Sequence, residues 1–317
     1  MARDVVVIGG GLSGLSAAYE LEQAKIPYTL IEVKPRRGGS IESATQDGFI
    51  FDSGAMFHQL ANPVAFFDFL DALNLSDAVY SPDSEHIAFT HGTGALIDAL
   101  DSRITAPIMR RMAVSTLGEL DDRFGICMEN GMLLDAKAII VAAPARYAER
   151  MFHTLVQEIS FRLLNYRYDS VARLSFGYQR EDATQIPHDP PPDFPITAIY
   201  HTADSSRVPD NGVIIQVGLR YDPEKGVPAD AIGETAALFG WKLNPSAEHI
   251  GIWTEAEPAM WRDESHAHNM RDVRAMLPDG VVLVGNDYLA TGARPRLDER
   301  IAMGRAGARE IIDYLAK

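Results

Sequence analysis

The opening of the chain constrains it most. Val5-Val6-Val7-Ile8 is a run of β-branched residues, the mark of a strand buried on both faces. Gly9, Gly11 and Gly14 follow in a Gly-x-Gly-x-x-Gly spacing. Leu12, Leu15, Ala18, Tyr19 and Leu21 then recur at helical intervals. Tyr28-Thr29-Leu30-Ile31, closed by Glu32, reads as a second strand. A strand, a glycine turn, a helix and a strand within about 30 residues is the βαβ unit of a dinucleotide fold. The first glycine permits the tight turn, the second lets the backbone approach a pyrophosphate, and the third lets helix and strand pack closely. The helix N-terminus adds free N–H groups and a positive dipole end. Glu32 is placed to hold a ribose hydroxyl pair. On this motif alone NAD, NADP and FAD fit equally.

The far end returns to the same style. Val281-Val282-Leu283-Val284 reads as a buried strand and Arg300 to Leu315 as a helix; Ala138 to Ala142 is another buried strand, stopped near Pro144. The last strand is expected in the same parallel sheet as the first. Between these ends the texture differs. Val171 to Tyr178, Ile196 to His201 and Val213 to Leu219 are strand-like, with a turn at Pro209-Asp210-Asn211-Gly212. The expected organisation is a discontinuous nucleotide-binding domain (1–57, 92–150 and 274–317) and an inserted substrate domain (58–91 and 151–273).

Four features separate FAD from NAD. Lys34-Pro35-Arg36-Arg37-Gly38-Gly39-Ser40 follows Glu32, and cations with bare backbone there suit the second half of an extended diphosphate. Phe51-Asp52-Ser53-Gly54-Ala55 offers small residues beside which a planar ring can lie. The Ala138 strand ends in small residues. The last strand ends in Gly285-Asn286-Asp287, where Asp287 can hold a ribityl chain and the following helix can aim its positive end at a flavin pyrimidine.

These segments together resemble the FAD-dependent amine oxidase superfamily, which includes monoamine oxidase, protoporphyrinogen oxidase, phytoene desaturase and renalase. The likeness rests on Gly9 to Glu32, Arg37-Gly38-Gly39, Asp52-x-Gly54-Ala55, Asn130 to Ala145, Ser170 to Ser175, Trp253 to Pro258 and Gly285-Asn286-Asp287. It is nearest to short, bacterial, protoporphyrinogen oxidase-like members. It implies an α/β fold: an FAD-binding, Rossmann-like domain of the glutathione-reductase type, carrying an inserted substrate domain of a mixed sheet with helices.

The resemblance also implies site roles. Gly9, Gly11, Leu12, Ser13 and Gly14 would hold the pyrophosphate, and Glu32 with Val33 the adenosine ribose. Lys34, Arg37, Gly38, Gly39 and Ser40 would line the diphosphate and ribityl. Val114 and Ala143 would border the nucleotide, and Gly54, Ala55 and Met56 the ring. Gly285, Asn286, Asp287, Arg300 and Ile301 would hold the ribityl and pyrimidine end. Many relatives keep a lysine where this chain has Arg173, and arginine is a poor proton acceptor. The flavin-linking cysteine of monoamine oxidases has no counterpart, since the single cysteine is Cys127; the FAD is expected to be non-covalent. The stretch from Leu60 to Gly92 is short where relatives often carry a large helical subdomain.

Flavin supplies the redox chemistry, so the protein must place a C–H bond over N5. Candidates for that face are His58, Arg173, Tyr178 and Trp261. The implied reaction is hydride removal from a small organic substrate, an amine or a partly reduced cyclic compound, with reoxidation by dioxygen. The alternatives are a flavin-binding protein without turnover, and a protoporphyrinogen or phytoene desaturase-like dehydrogenase using another acceptor. An NAD(P)-dependent dehydrogenase would leave Gly285-Asn286-Asp287 without a task. No metal site is expected: His266-Ala267-His268 with Asp263 and Glu264 has a generic spacing in a stretch that reads as loop. Net charge is −15, and no basic stretch stands out as a large cluster, which argues against nucleic acid and an anionic membrane surface. One cysteine and no apolar run long enough to span a bilayer fit a cytoplasmic protein.

Overall fold

A computed structural model describes residues 4–183 and 185–317. β1 (Val5–Ile8), α1 (Leu12–Gln23) and β2 (Tyr28–Glu32) form the opening unit. A hairpin of β3 (Ser43–Gln46) and β4 (Phe49–Asp52) follows. Then come α2 (Pro63–Ala72), the two-residue strands β5 (Val79–Tyr80) and β6 (Ala88–Phe89), α3 (Gly94–Asp101) and β7 (Ile108–Arg110). β8 (Val114–Leu120), β9 (Arg123–Met128) and β10 (Leu133–Ala136) make an antiparallel meander that leads into β11 (Ala138–Val141). α4 (Ala145–Leu155) and α5 (Gln157–Leu163) precede β12 (Val171–Gln179), β13 (Ile196–Thr202) and β14 (Gly212–Arg220). α6 (Ala231–Phe239), β15 (Ala247–Ile252), α7 (His266–Ala275), β16 (Val281–Leu283) and α8 (Leu297–Leu315) complete the chain.

The central sheet runs β16-β11-β1-β2-β7, and every pair in it is parallel. The two chain ends therefore share one sheet, with β11 between β1 and β16. Its strands are buried on both faces, as β-branched runs without alternation predict. One face packs on α1, α3 and α8, with α2 reaching the same core through Phe66, Phe69 and Leu70. The other packs on the meander and on α4, α5 and α7.

The inserted sheet runs β13-β14-β12-β15. It was expected to be mixed; every pair in it is antiparallel. The turn between β13 and β14 reverses the chain, and the α6 connection returns β15 antiparallel to β12. One face, through Leu174, Phe176 and Tyr178, packs on α6 and Trp241. The other receives the β3–β4 hairpin through Phe49 and Phe51. The cores therefore cross the boundaries expected above: the hairpin sits on the inserted sheet, while α2, α5 and α7 pack on the parallel one. The stretch from His266, expected as loop, is the helix α7. Met270 and Val273 bury one side of it beside His266.

Candidate functional site

The β1–α1 turn is built by close approach. Gly9 has φ +107, and a Cβ there would lie 2.8 Å from the Ala142 carbonyl oxygen. A Cβ at Gly14 would overlap the Gly9 carbonyl oxygen and press on Ala142. The glycines thus let β1, β11 and α1 meet with no side chain between them. α1 begins at Gly11 with no side-chain cap and no acid in its first turn. Its positive end and free N–H groups are open. Glu32 is buried at the end of β2. Its two carboxylate oxygens accept from the Gly10 and Lys34 N–H groups, each at 2.7 Å. It fastens the glycine turn to the next loop.

A cavity of about 500 Å³ opens over this turn. Of the expected cofactor residues it is lined by Gly9, Gly11, Leu12, Ser13, Glu32, Val33, Lys34, Gly38, Gly39 and Ser40. Val114, Ala143, Gly285, Asn286, Asp287 and Arg300 complete that side. Gly54 and Ala55 line a second cavity of about 370 Å³. The two cavities share Ser40, Trp253, Ala256, Asn286 and Arg300, so they form one elongated slot from the glycine turn to the inserted sheet.

Four expected cofactor contacts are placed elsewhere. Gly14 acts by packing, as described. Arg37 turns its guanidinium onto Asp101 of α3. The Met56 side chain is buried with Phe49 and Phe51, and its N–H donates to Gln216 Oε1. Ile301 packs into the α1–α8 core.

Of the expected substrate-face residues, His58 and Arg173 line the second cavity. Arg173 is buried and ion-paired with Glu257, which also pairs with Arg294. His58 hydrogen-bonds Thr93 Oγ1 at 3.0 Å. Burial, with the cations of Arg300, Arg207 and Arg173 nearby, pushes its pKa down to about 3, so the ring is neutral near pH 7. Tyr178 and Trp261 are not brought there, and both are withdrawn as candidates. Tyr178 lies on the α6 side of the inserted sheet, its hydroxyl donating to the Lys242 carbonyl. An odd separation along a strand puts two side chains on opposite faces. Trp261 lies in a short 3₁₀ turn, stacked under the Arg262 guanidinium, and borders neither cavity. His266 hydrogen-bonds the Leu289 carbonyl, and no metal-binding cluster occurs among the described residues.

The aromatic shared by the two cavities is Trp253, with the Lys34 ammonium 5.4 Å and the Arg36 guanidinium 5.8 Å from its ring centre. It follows β15 directly, and only the family-like segment Trp253 to Pro258 marked it in the sequence. Arg294 and Arg296, also cavity-lining, carried no periodicity or motif by which to find them.

The residues present fit an adenine dinucleotide. The Oδ1 of Asn286 is buried and has no hydrogen-bond partner among the described residues, although Asn286 borders both cavities. Asp287 is buried, and burial raises its pKa to about 7 despite hydrogen bonds from Tyr168 and the Ala145 N–H. Arg300 borders both cavities, and its side chain has no hydrogen bond or ion pair among the described residues. Burial brings its pKa down to about 10, which leaves it charged at neutral pH.

Residues 7–73 match the family described as an NAD(P)-binding Rossmann-like domain. The chain is 35% identical over 99 residues to the mitochondrial protoporphyrinogen oxidase of Nicotiana tabacum, a stretch that is 30% of this chain and 19% of that enzyme. It is 41% identical over 58 residues to the coproporphyrinogen III oxidase of Bacillus subtilis (strain 168), covering 16% of this chain and 12% of that one. The matched stretch is thus less than a fifth of either relative. The whole fold is similar to that of a provisionally named protoporphyrinogen oxidase from Exiguobacterium sp. 255-15, with a TM-score of 0.81 at 14% identity over all of both chains. It is also similar to wild-type putrescine oxidase bound to putrescine, with a TM-score of 0.73 at 13% identity over 99% of each chain. At these identities the structural likeness is one of fold.

Proposed function

We infer that the chain is an FAD-dependent oxidoreductase of the amine oxidase superfamily, acting on a small organic molecule; the matches to protoporphyrinogen and monoamine oxidases and the shared fold support this. The observation that carries this reading is the continuous slot: two cavities meet at Ser40, Trp253, Ala256, Asn286 and Arg300, one over a glycine turn and the other under the inserted sheet. FAD, when bound, supplies a ring that accepts a hydride from a substrate carbon at N5, with dioxygen as the proposed final acceptor. Gly11, Leu12 and Ser13 would hold its pyrophosphate through backbone N–H groups, Glu32 its ribose, and Asn286 and Asp287 its ribityl end.

The remaining steps belong to the chain's own side chains. Arg173, fixed by Glu257, orients a substrate and takes no proton from it, since a guanidinium stays protonated. His58 is neutral and tied to Thr93, so it offers a hydrogen bond and no charge. Trp253 presents an aromatic surface at the junction. Cys127 is half-buried on β9, outside both cavity linings, which supports non-covalent FAD. The meander between β7 and β11 supports the glutathione-reductase type of nucleotide fold. A cytoplasmic setting is proposed from the lone cysteine; among the described residues no helix is long and apolar enough to cross a membrane.

The test is spectroscopic. Purified or reconstituted protein should show the absorption of oxidised flavin, retain FAD and not NAD through gel filtration, and bleach anaerobically with a reduced donor. A colourless protein that ignores added FAD would remove this reading.

A further inference from the structure

We propose that the second cavity is built for an anionic ring compound, a flat molecule bearing a carboxylate or phosphate, rather than for an amine. This deepens the flavoenzyme reading and rests on it for the chemistry, though the recognition itself is a property of the cavity.

The argument begins with charge. Three carboxylates line this cavity: Glu42, Asp52 and Glu257. Two are neutralised from outside the lining. Glu42 pairs with Arg36 at 2.9 Å and Asp52 with the fully buried Arg207 at 3.0 Å. Asp52 also accepts from Ser43 and the Thr93 N–H. Against them stand four arginines of the lining: Arg173, Arg294, Arg296 and Arg300. Glu257 bridges Arg173 and Arg294. No carboxylate is paired with Arg296 or Arg300 among the described residues; Arg296 Nη1 donates to the Leu60 carbonyl at 3.1 Å. The wall is therefore cationic in a protein whose net charge is −15.

An ammonium brought here meets unpaired guanidiniums in a site partly shielded from water, where like charges repel strongly. A carboxylate or phosphate meets the planar donor fork that matches it in two parallel hydrogen bonds. Arg300 also borders the first cavity and can serve the cofactor's diphosphate side. Arg296 borders only the second and is left for the substrate.

The ring follows from a cluster of three aromatic side chains in the same lining. Phe57, His86 and Tyr200 have centroids 5.5 to 6.1 Å apart in all three pairings. Such a cluster offers stacking and edge contacts to a flat molecule. A volume of about 370 Å³, part of which a flavin ring beside Gly54 and Ala55 would take, is at the small end of ligand sites, which run from roughly 300 to 1,000 Å³. The cavity suits a single ring with its acid group better than a macrocycle.

The test titrates the flavin-loaded protein with benzoate, phenyl phosphate, benzamide and benzylamine, reading heat and the perturbation of the flavin spectrum. Benzoate or phenyl phosphate should bind at least about tenfold more tightly than benzamide, with benzylamine weakest; whichever of the two anions binds better identifies the acid group. Arg296→Gln should bring the anion down to the level of benzamide, and Arg296→Lys should restore part of the difference. Arg294→Gln, at a side chain about half exposed, is a second variant with little risk to folding, and it should weaken the anion as well. Benzylamine binding as tightly as benzoate would overturn the proposal, as would an anion preference untouched by both glutamine variants. Failure to load flavin would instead count against the flavoenzyme reading, and the charge ranking measured by heat on the same protein would still decide this one.

Discussion

The two cavities that meet at Asn286 are anchored differently. The first is anchored on one local turn, in which Gly9, Gly11, an uncapped helix end and Glu32 lie within 24 residues of chain, and the rest of its lining is gathered around that turn. The second is mostly long side chains from separated segments: His58 and His86, Arg173 on β12, Tyr200 on β13, and the loop from Arg294 to Arg296. Backbone recognition tolerates no added atoms, so it is rigid and written locally. Side-chain recognition can be rebuilt one residue at a time. The lesson is that the cofactor end resists substitution, while the substrate end is where relatives of one fold diverge.

The sharpest way to break this comparison is to add one methyl group at each end. Gly14→Ala puts a Cβ onto the Gly9 carbonyl oxygen. Overpacking of this kind costs about 1–3 kcal/mol and would force β1 and α1 apart. We expect loss of flavin and a melting temperature lower by several degrees. Gly54→Ala, whose Cβ would meet only the Ser40 carbonyl at 3.5 Å, should fold and melt normally, and the added methyl, which lines the slot, should act on flavin affinity alone. Equal damage to the melting temperatures of the two apoproteins would remove the distinction between the ends.

Next in size is Glu32→Gln. Both carboxylate oxygens are already engaged by N–H groups, and the amide leaves one of those donors facing its own NH₂. Hydrogen bonds to charged groups contribute roughly 1.5–3 kcal/mol, so the dissociation constant for FAD should rise about 10- to 100-fold. Fluorescence titration of the apoprotein measures it. No change would mean that Glu32 only braces the loop.

How much could be read from the chain follows the same division. The βαβ opening, β11, β16 and their common sheet were legible because buried parallel strands are short, apolar and bounded by glycine or proline. β7 was not, since three residues after Pro107 give no periodicity. α7 was missed although His266, Met270 and Val273 recur at helical spacing; its many charges masked that pattern. At the site, Arg173 and Tyr178 could not both face a substrate, because they are five residues apart on one strand and a strand's side chains alternate. Arg294 and Arg296 were invisible in principle: a loop's destination is set by the tertiary fold, here by β16 and α8 on either side of it.

Asp287 gives a prediction whose sign can be worked out. Burial raises its folded pKa to about 7, from an ordinary value near 3.8. A carboxyl raised in this way binds a proton in the folded state that the unfolded chain has lost. Its contribution is therefore complete below about pH 4 and disappears as the pH climbs through 7. The melting temperature of the apoprotein should fall between pH 5 and pH 8 more steeply than that of Asp287→Asn, whose amide cannot ionise. Parallel slopes in thermal scans across that range would mean that the carboxyl is ionised throughout, and Asp287 would then be a fixed anion at the cofactor end.

The smallest expected effect is at Tyr178, and it separates packing from function on a single strand. Tyr178 is buried against Phe176 and Trp241, its hydroxyl bonded to the Lys242 carbonyl at 2.7 Å. Tyr178→Phe removes that bond and little else, costing about 1 kcal/mol and lowering the melting temperature by roughly 1–2 °C for a chain of this size. Flavin content and ligand affinity should stay as they were, because the side chain points to α6 and away from the slot. Arg173→Met, five residues earlier and on the other face, should do the reverse in kind: it frees Glu257 from one of its two guanidiniums and weakens anion binding. If Tyr178→Phe altered ligand affinity as Arg173→Met does, the two faces of β12 would not be separate. The assignment of the cavity to the hairpin side of the inserted sheet would fail with them.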